Sequence, residues 1–284
     1  MTLTRLEQRP RLGRLYAKAV TSARGRHGDR LPDITLELPE ATIDRDQLAS
    51  YADVCGFRKS DILPATYPHV LAFPLAVSIM VDPAFPFALP GLVHVANRIT
   101  QQRALRADER LRLGVSASDL REHPRGQQFD MLTEASVNGE TIWTEGSTYL
   151  HRSVPSPARG GGQGGGSPSP ARSDSPSSIW RVPRNVGRRY AAVSGDVNPI
   201  HLNPLAARLF GFRRAIAHGM WLKARCLAAF EGRLPDALTA EVEFKSPLLL
   251  PSTVGFTSHP QREGWTFAVA EARSGRPHLS GSVH

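Results

Sequence analysis

A carboxylate, a carboxamide and an imidazole fall within six consecutive positions, at Asp196, Asn198 and His201, in the run Ser194-Gly195-Asp196-Val197-Asn198-Pro199-Ile200-His201. Gly195 permits a tight turn, and Pro199 stops a helix from running through the segment. Such a loop can aim Asp196 and His201 at one point in space. There they would share a water as an acid–base pair, one taking its proton while the other protonates a neighbouring atom. Further on, Ala217-His218-Gly219-Met220 opens a long apolar stretch. A helix starting there carries unpaired N–H groups and partial positive charge at its first turn, which suits an oxyanion. Gly219 has no side chain, so a ligand carbonyl can approach its N–H, and one such donor is worth roughly 3 kcal/mol at a transition state. Taken singly, Asp196 reads as a turn or cap aspartate, His201 as a structural histidine and Gly219 as a close-packing residue. Asn198 either orients the water or staples its own loop. The combination is what points to chemistry.

The elements that must position these residues follow from apolar spacing. Ile216, Met220, Leu222, Cys226, Leu227 and Phe230 recur mostly at three- and four-residue steps, predicting a helix over 216–230 that stops near Gly232. Alternation predicts strands over 239–244, 253–258, 266–272 and 279–283, as in Ala240-Glu241-Val242-Glu243-Phe244. The first part of the chain follows the same plan. Tyr51-Ala52-Asp53-Val54-Cys55-Gly56 matches Tyr190-Ala191-Ala192-Val193-Ser194-Gly195, and each precedes an apolar helical stretch and then strands. The first helix is expected within 68–81, on Leu71, Leu75, Ile79 and Val81, with Pro74 in its first turn. Its strands are expected over 92–100, 111–118, 128–137 and 141–151. A long helix followed by antiparallel strands, given twice, means an α+β internal duplication in which each sheet wraps its helix.

Between the two copies runs Ser153 to Ser178, nearly all Pro, Gly, Ser, Ala and Arg, which cannot bury apolar surface and reads as a flexible linker. The expected division is an N-terminal extension over 1–30, a first domain over 31–152, the linker over 153–178 and a second domain over 179–284. With 284 residues, 40% of them hydrophobic, the chain can bury a core. Its two cysteines, Cys55 and Cys226, supply neither a disulfide framework nor a four-cysteine zinc site, and read as small buried apolar residues. No stretch has the ~20 apolar residues of a membrane helix, and the basic start lacks an apolar signal core, so a cytoplasmic protein is expected. A net charge of +9 can signal an anionic partner, but it reads first as arginines spread over a solvated surface, and no basic run interleaved with aromatics and no zinc-finger spacing argues for nucleic acid.

The stretch Tyr190–Met220 resembles the MaoC-like R-specific enoyl-CoA hydratase and (3R)-hydroxyacyl-thioester dehydratase family. Tyr190, Ser194, Gly195, Asp196, Asn198, Pro199, Ile200, His201 and Ala207 match its S-G-D-x-N-P-x-H signature. Gly211, Phe212, Ile216, Ala217, His218, Gly219 and Met220 match its helix entry. The resemblance implies a hot-dog fold, here a double one. It also implies reversible syn addition of water to a trans-2-enoyl thioester, as part of fatty-acid or related acyl metabolism. Asp196 and His201 would be the catalytic pair, while Asn198 and the Gly219 N–H would bind substrate. No metal or redox cofactor is implied. CoA or an acyl-carrier-protein arm would present the acyl chain, and Arg188, Arg189, Arg213, Arg214 and Lys245 are candidates to meet it.

In the first copy the motif fails: Phe57 stands where the second has Asp196, and no N-P-x-H follows. His69 corresponds to His218. The family contains chains with one active and one degenerate hot dog, and this sequence resembles them. The degenerate half would then shape the acyl pocket, with Pro64, Pro68, Pro74, Pro83, Pro86 and Pro90 interrupting or flanking its helix to make room for a long or bulky chain. The other readings are a thioesterase of the same fold and a non-catalytic acyl-thioester-binding or partner subunit. Since one chain already holds two hot dogs, monomer and homodimer both stay open.

Overall fold

Apolar–polar alternation and two runs of buried helix build a molecule whose halves repeat each other. The computed structural model describes residues 2–21, 26, 28–152 and 175–284. Most of the expected linker, 153–174, lies outside the described residues. The first half comprises β1 (Thr2–Arg5), α1 (Leu12–Thr21), β2 (Ile34–Ala41), α2 (Arg45–Cys55), α3 (Tyr67–Met80), β3 (Leu92–Gln101), β4 (Leu111–His123), β5 (Gly126–Val137) and β6 (Glu140–Arg152). The second comprises β7 (Ser178–Val182), α4 (Val186–Ser194), α5 (Pro199–Leu202), α6 (Pro204–Leu209), α7 (Gly219–Ala228), β8 (Leu238–Phe244), β9 (Ser252–Pro260), β10 (Trp265–Glu271) and β11 (Pro277–Val283). Ser178, placed by the sequence at the end of the linker, is the first residue of β7.

All the described strands join one sheet, in the order β1-β2-β4-β5-β6-β3-β8-β11-β10-β9-β7. Leaving out β1, which adds to β2 in parallel, each half contributes five strands in the same relative order. The two sets meet edge to edge, where β3 pairs antiparallel with β8 from Ala96↔Glu243 to Gln101↔Leu238. This is a double hot-dog, and the duplication is visible in its topology as well as in its sequence. The matched pieces Tyr51–Gly56 and Tyr190–Gly195 end α2 and α4. Each helix is closed by its glycine in the left-handed region, Gly56 at φ 84° and Gly195 at φ 76°. The two helices pack together, with the Tyr51 and Tyr190 rings 6.1 Å apart.

The central helices differ from expectation in two places. Helix α7 begins at Gly219; Ile216 and Ala217 instead form an extended step, bridged to Leu249 and bonded by the Ala217 N–H to the Leu248 carbonyl. Pro74 does not sit in the first turn of α3; Pro68 does, and Pro74 lies mid-helix. A proline there leaves the carbonyl four residues back without its N–H donor. That carbonyl belongs to Val70, and the Arg9 guanidinium donates to it at 2.6 Å. The helix therefore stays whole and almost entirely buried.

The seam between the halves holds a buried polar network. The Lys223 ammonium, on α7, donates to the Ala240 carbonyl at 2.9 Å and to the Asn97 side-chain oxygen. Asn97 donates in turn to Glu145 at 2.5 Å and to Ser147 at 2.9 Å. His69 pairs through Nδ1 with Glu145 at 2.9 Å. Burial lowers the Lys223 ammonium to about 7, against the pull of Glu145 and Glu241. Burial works to raise the Glu145 carboxyl, but His69, Asn97 and Lys223 outweigh it and keep it low. His69, in the first turn of α3, thus holds a structural carboxylate. Its counterpart His218, the N-cap of α7, faces Asp196.

Candidate active site

The site begins where α4 must end. Gly195, at positive φ, turns the chain out of the helix and delivers Asp196 to the wall of a cavity. The next turn is short because Pro199 starts α5 and the Asn198 side chain caps it, accepting from the Ile200 N–H at 3.3 Å. Asn198 also donates its own N–H to Asp196 Oδ1 at 3.2 Å. Asn198 lines the cavity, but its side-chain oxygen is engaged in stapling the loop. His201 is brought against α4 by the lack of a side chain at Gly187, where an added Cβ would lie 2.2 Å from the His201 carbonyl oxygen.

His201 and His218 stack with ring centres 3.7 Å apart. His201 Nδ1 bonds the Ile216 carbonyl at 2.9 Å. A carbonyl only accepts, so Nδ1 carries the proton and the neutral ring keeps its lone pair on Nε2. By the same logic His218 donates from Nε2 to the Asp196 backbone carbonyl, also at 2.9 Å. Its Nδ1 is buried and has no partner among the described residues. Burial, with His201 beside it, lowers His218 to about 3, so it stays neutral and pins the loop. Burial likewise lowers the His201 imidazole, against Asp196 and the Ile216 bond. Burial would raise the Asp196 carboxyl, but the two imidazoles, the Tyr16 hydroxyl and the Asn198 N–H together hold it below the usual carboxylate range.

Ligating atoms of Asp196, His201 and His218 lie within 4.8 Å of one another. A water about 2.8 Å from each of two such atoms reaches both. The same three side chains could face a cation, but His218 spends its Nε2–H on the Asp196 carbonyl and His201 its Nδ1–H on Ile216, so both would enter only through their second nitrogens. Gly219 stands at the first position of α7, where an added Cβ would lie 3.0 Å from the Phe244 ring. Both the packing role and the carbonyl-binding role fit this placement, because the N–H of the first turn has no intrahelical acceptor.

The cavity, about 850 Å³, is shared by both halves. Asp196, His201, His218 and Gly219 lie on one side; Phe73, Met80, Leu92, His94 and Tyr149 come from the first half. Of the expected cationic contacts, Lys245 lines it, while Arg188, Arg189, Arg213 and Arg214 do not. Arg189 pairs with Asp53 at 2.8 Å, and Arg214 donates to the Pro251 carbonyl at 3.0 Å. Arg125, Arg152 and Arg208 line the cavity instead. The sequence reading also missed Tyr16, in α1, whose hydroxyl donates to Asp196 Oδ1 at 2.7 Å. The only signal was the helical spacing of Leu12, Leu15, Tyr16 and Ala19; nothing in it says what the helix covers.

Fold and site together define a double hot-dog protein with an Asp–His loop beside a partly open, mostly apolar cavity. The MaoC like domain family matches residues 178–269. Over 258 residues the chain is 40% identical to 3-hydroxyacyl-thioester dehydratase X of Mycobacterium tuberculosis, covering 90% of each protein. A crystal structure of HtdX from that organism superposes with a TM-score of 0.78 at 38% identity, covering 88% of this chain and 98% of that one. A MaoC-like dehydratase from Phytophthora capsici shares the fold, with a TM-score of 0.68 at 19% identity over 88% of this chain and 94% of that one. The chain belongs to the MaoC-like dehydratase family.

Proposed function

We propose that the protein catalyses the reversible syn hydration of trans-2-enoyl thioesters to (3R)-hydroxyacyl thioesters, and that Asp196 and His201 are its catalytic pair. The observation that carries this is the neutral His201, with Nε2 free, placed within one water of an ionised Asp196 at the wall of an acyl-sized cavity. In the hydration direction Asp196 orients the water, and His201 Nε2 takes its proton as the oxygen bonds to C3. Electron density moves through C2 onto the thioester oxygen, where the Gly219 N–H and the start of α7 stabilise the charge. The imidazolium beside Asp196 then returns the proton to C2 on the face the water came from, so addition is syn. Dehydration runs the same steps backwards.

Catalysis belongs to the second half, 179–284, and the first half, 31–152, supplies the far wall of the acyl pocket. The cationic lining at Lys245, Arg125, Arg152 and Arg208 suits a negatively charged carrier, CoA or an acyl-carrier protein. A cytoplasmic setting and a homodimer are part of the same proposal. The test is to follow the enoyl absorbance of crotonyl-CoA and of a longer trans-2-enoyl-CoA, and to assign the product's configuration. Loss of absorbance with an R product is expected. Release of free thiol without it would identify a thioesterase, and inertness on CoA-borne and carrier-borne substrates alike would leave a binding subunit.

A further inference from the structure

Asp196 Oδ1 receives two hydrogen bonds, from the Asn198 N–H at 3.2 Å and from the Tyr16 hydroxyl at 2.7 Å. Its other oxygen, Oδ2, faces His218 Nε2 at 3.7 Å, beyond hydrogen-bond distance. Tyr16 comes from the N-terminal segment, distant in sequence from the loop it touches, and beyond the pairing of β1 with β2 that segment is fastened at Arg9, Leu12 and Tyr16. Arg9 caps the Val70 carbonyl freed by Pro74. Leu12 sits against Gly195, where a Cβ would come within 2.4 Å of its Cδ1. Tyr16 holds Asp196. Burial, and then the Asp196 charge, push the Tyr16 phenol far above its ordinary value, so it is a donor at any working pH.

We propose that Tyr16 is a positioning residue of the active site. Its O–H fixes Oδ1 and thereby turns Oδ2 toward the shared water and His201. The site is then completed by the N-terminal segment: without it, the Asp196 carboxylate keeps only a backbone donor and can rotate away from the water. This inference rests on the assignment of Asp196 and His201 as the catalytic pair.

The test compares wild type with Tyr16→Phe, which keeps the ring and its packing and removes only the hydroxyl. A hydrogen bond to a charged group is typically worth about 1.5–3 kcal/mol, so kcat for enoyl-thioester hydration should fall roughly ten- to a hundredfold. KM should change little, because the hydroxyl acts on Asp196 rather than on the acyl chain. The acid limb of the pH–rate profile should move to higher pH. Losing the donor makes the Asp196 carboxylate easier to protonate, and it also strengthens the carboxylate's field on His201. An isotope-labelled Asp196 carboxyl, titrated by NMR in both proteins, reads the contact without any turnover. Its midpoint should rise in Tyr16→Phe. A wild-type rate and an unmoved acid limb in Tyr16→Phe would overturn the proposal, as would an unshifted Asp196 titration. If the wild type itself hydrates no enoyl thioester, the assigned reaction fails, while the titration still decides whether Tyr16 holds Asp196.

Discussion

His201 donates its Nδ1–H to the Ile216 carbonyl, and that single bond leaves the Nε2 lone pair for the role of base proposed for it. The pH dependence follows. Burial sets the imidazole below its ordinary 6.5, while the two imidazoles, the Tyr16 hydroxyl and the Asn198 N–H hold Asp196 below its ordinary 3.8 against burial, so at neutral pH the pair already stands as free base and carboxylate. Hydration is lost only as pH falls through these lowered values. kcat/KM for hydration should therefore be flat through neutrality, with its acid limb below 6.5; a limb above 6.5 would mean that Asp196 holds a charged His201 in the resting enzyme. The loop itself was legible because Gly195, Asp196, Asn198, Pro199 and His201 are local: their types dictate a turn, a cap and a stop. Tyr16 was not legible. Its partner is set by where α1 lands, and the packing of α1 against α3 and Gly195 is a tertiary event.

Among the elements, α3 shows why a proline pattern does not decide a helix's course. Six prolines were expected to interrupt or flank this helix; Pro64, Pro83, Pro86 and Pro90 do flank it, yet α3 runs unbroken from Tyr67 to Met80 past Pro74, where Arg9 replaces the missing donor. The energetics can be separated. Arg9→Met leaves the buried Val70 carbonyl without a donor and should destabilise the protein by about 1–3 kcal/mol. In a Pro74→Ala background the alanine N–H can bond that carbonyl, and the same Arg9→Met change should cost appreciably less. Chemical denaturation of the four proteins measures the coupling. Equal costs in the two backgrounds would show that Arg9 works through something other than the Val70 carbonyl. The cavity wall that Phe73 and Met80 supply is therefore built on an intact helix and not a broken one.

At the scale of the molecule, the duplicated YAxVxG pieces and the repeated order of elements predicted two hot dogs, and the shared strand order within each half is what they produce. The join was beyond a sequence reading, since pairing β3 with β8 is a choice among edges. It is made specific by Lys223, which reaches from α7 across the seam to Asn97, Glu145's hydrogen-bond partner. The half without the N-P-x-H loop has put its His69 and Glu145 to work in that seam, and it lends its walls, with Tyr16, to the site of the other. Asp196 and His201 are the residues on which the whole account turns. The most direct measurement is the hydration of crotonyl-CoA by wild type, Asp196→Asn and His201→Ala, with each variant's fold checked by circular dichroism. The account predicts an R-configured product from wild type and a loss of roughly 10²–10⁴-fold in each folded variant. Turnover at the wild-type rate in either variant would contradict it.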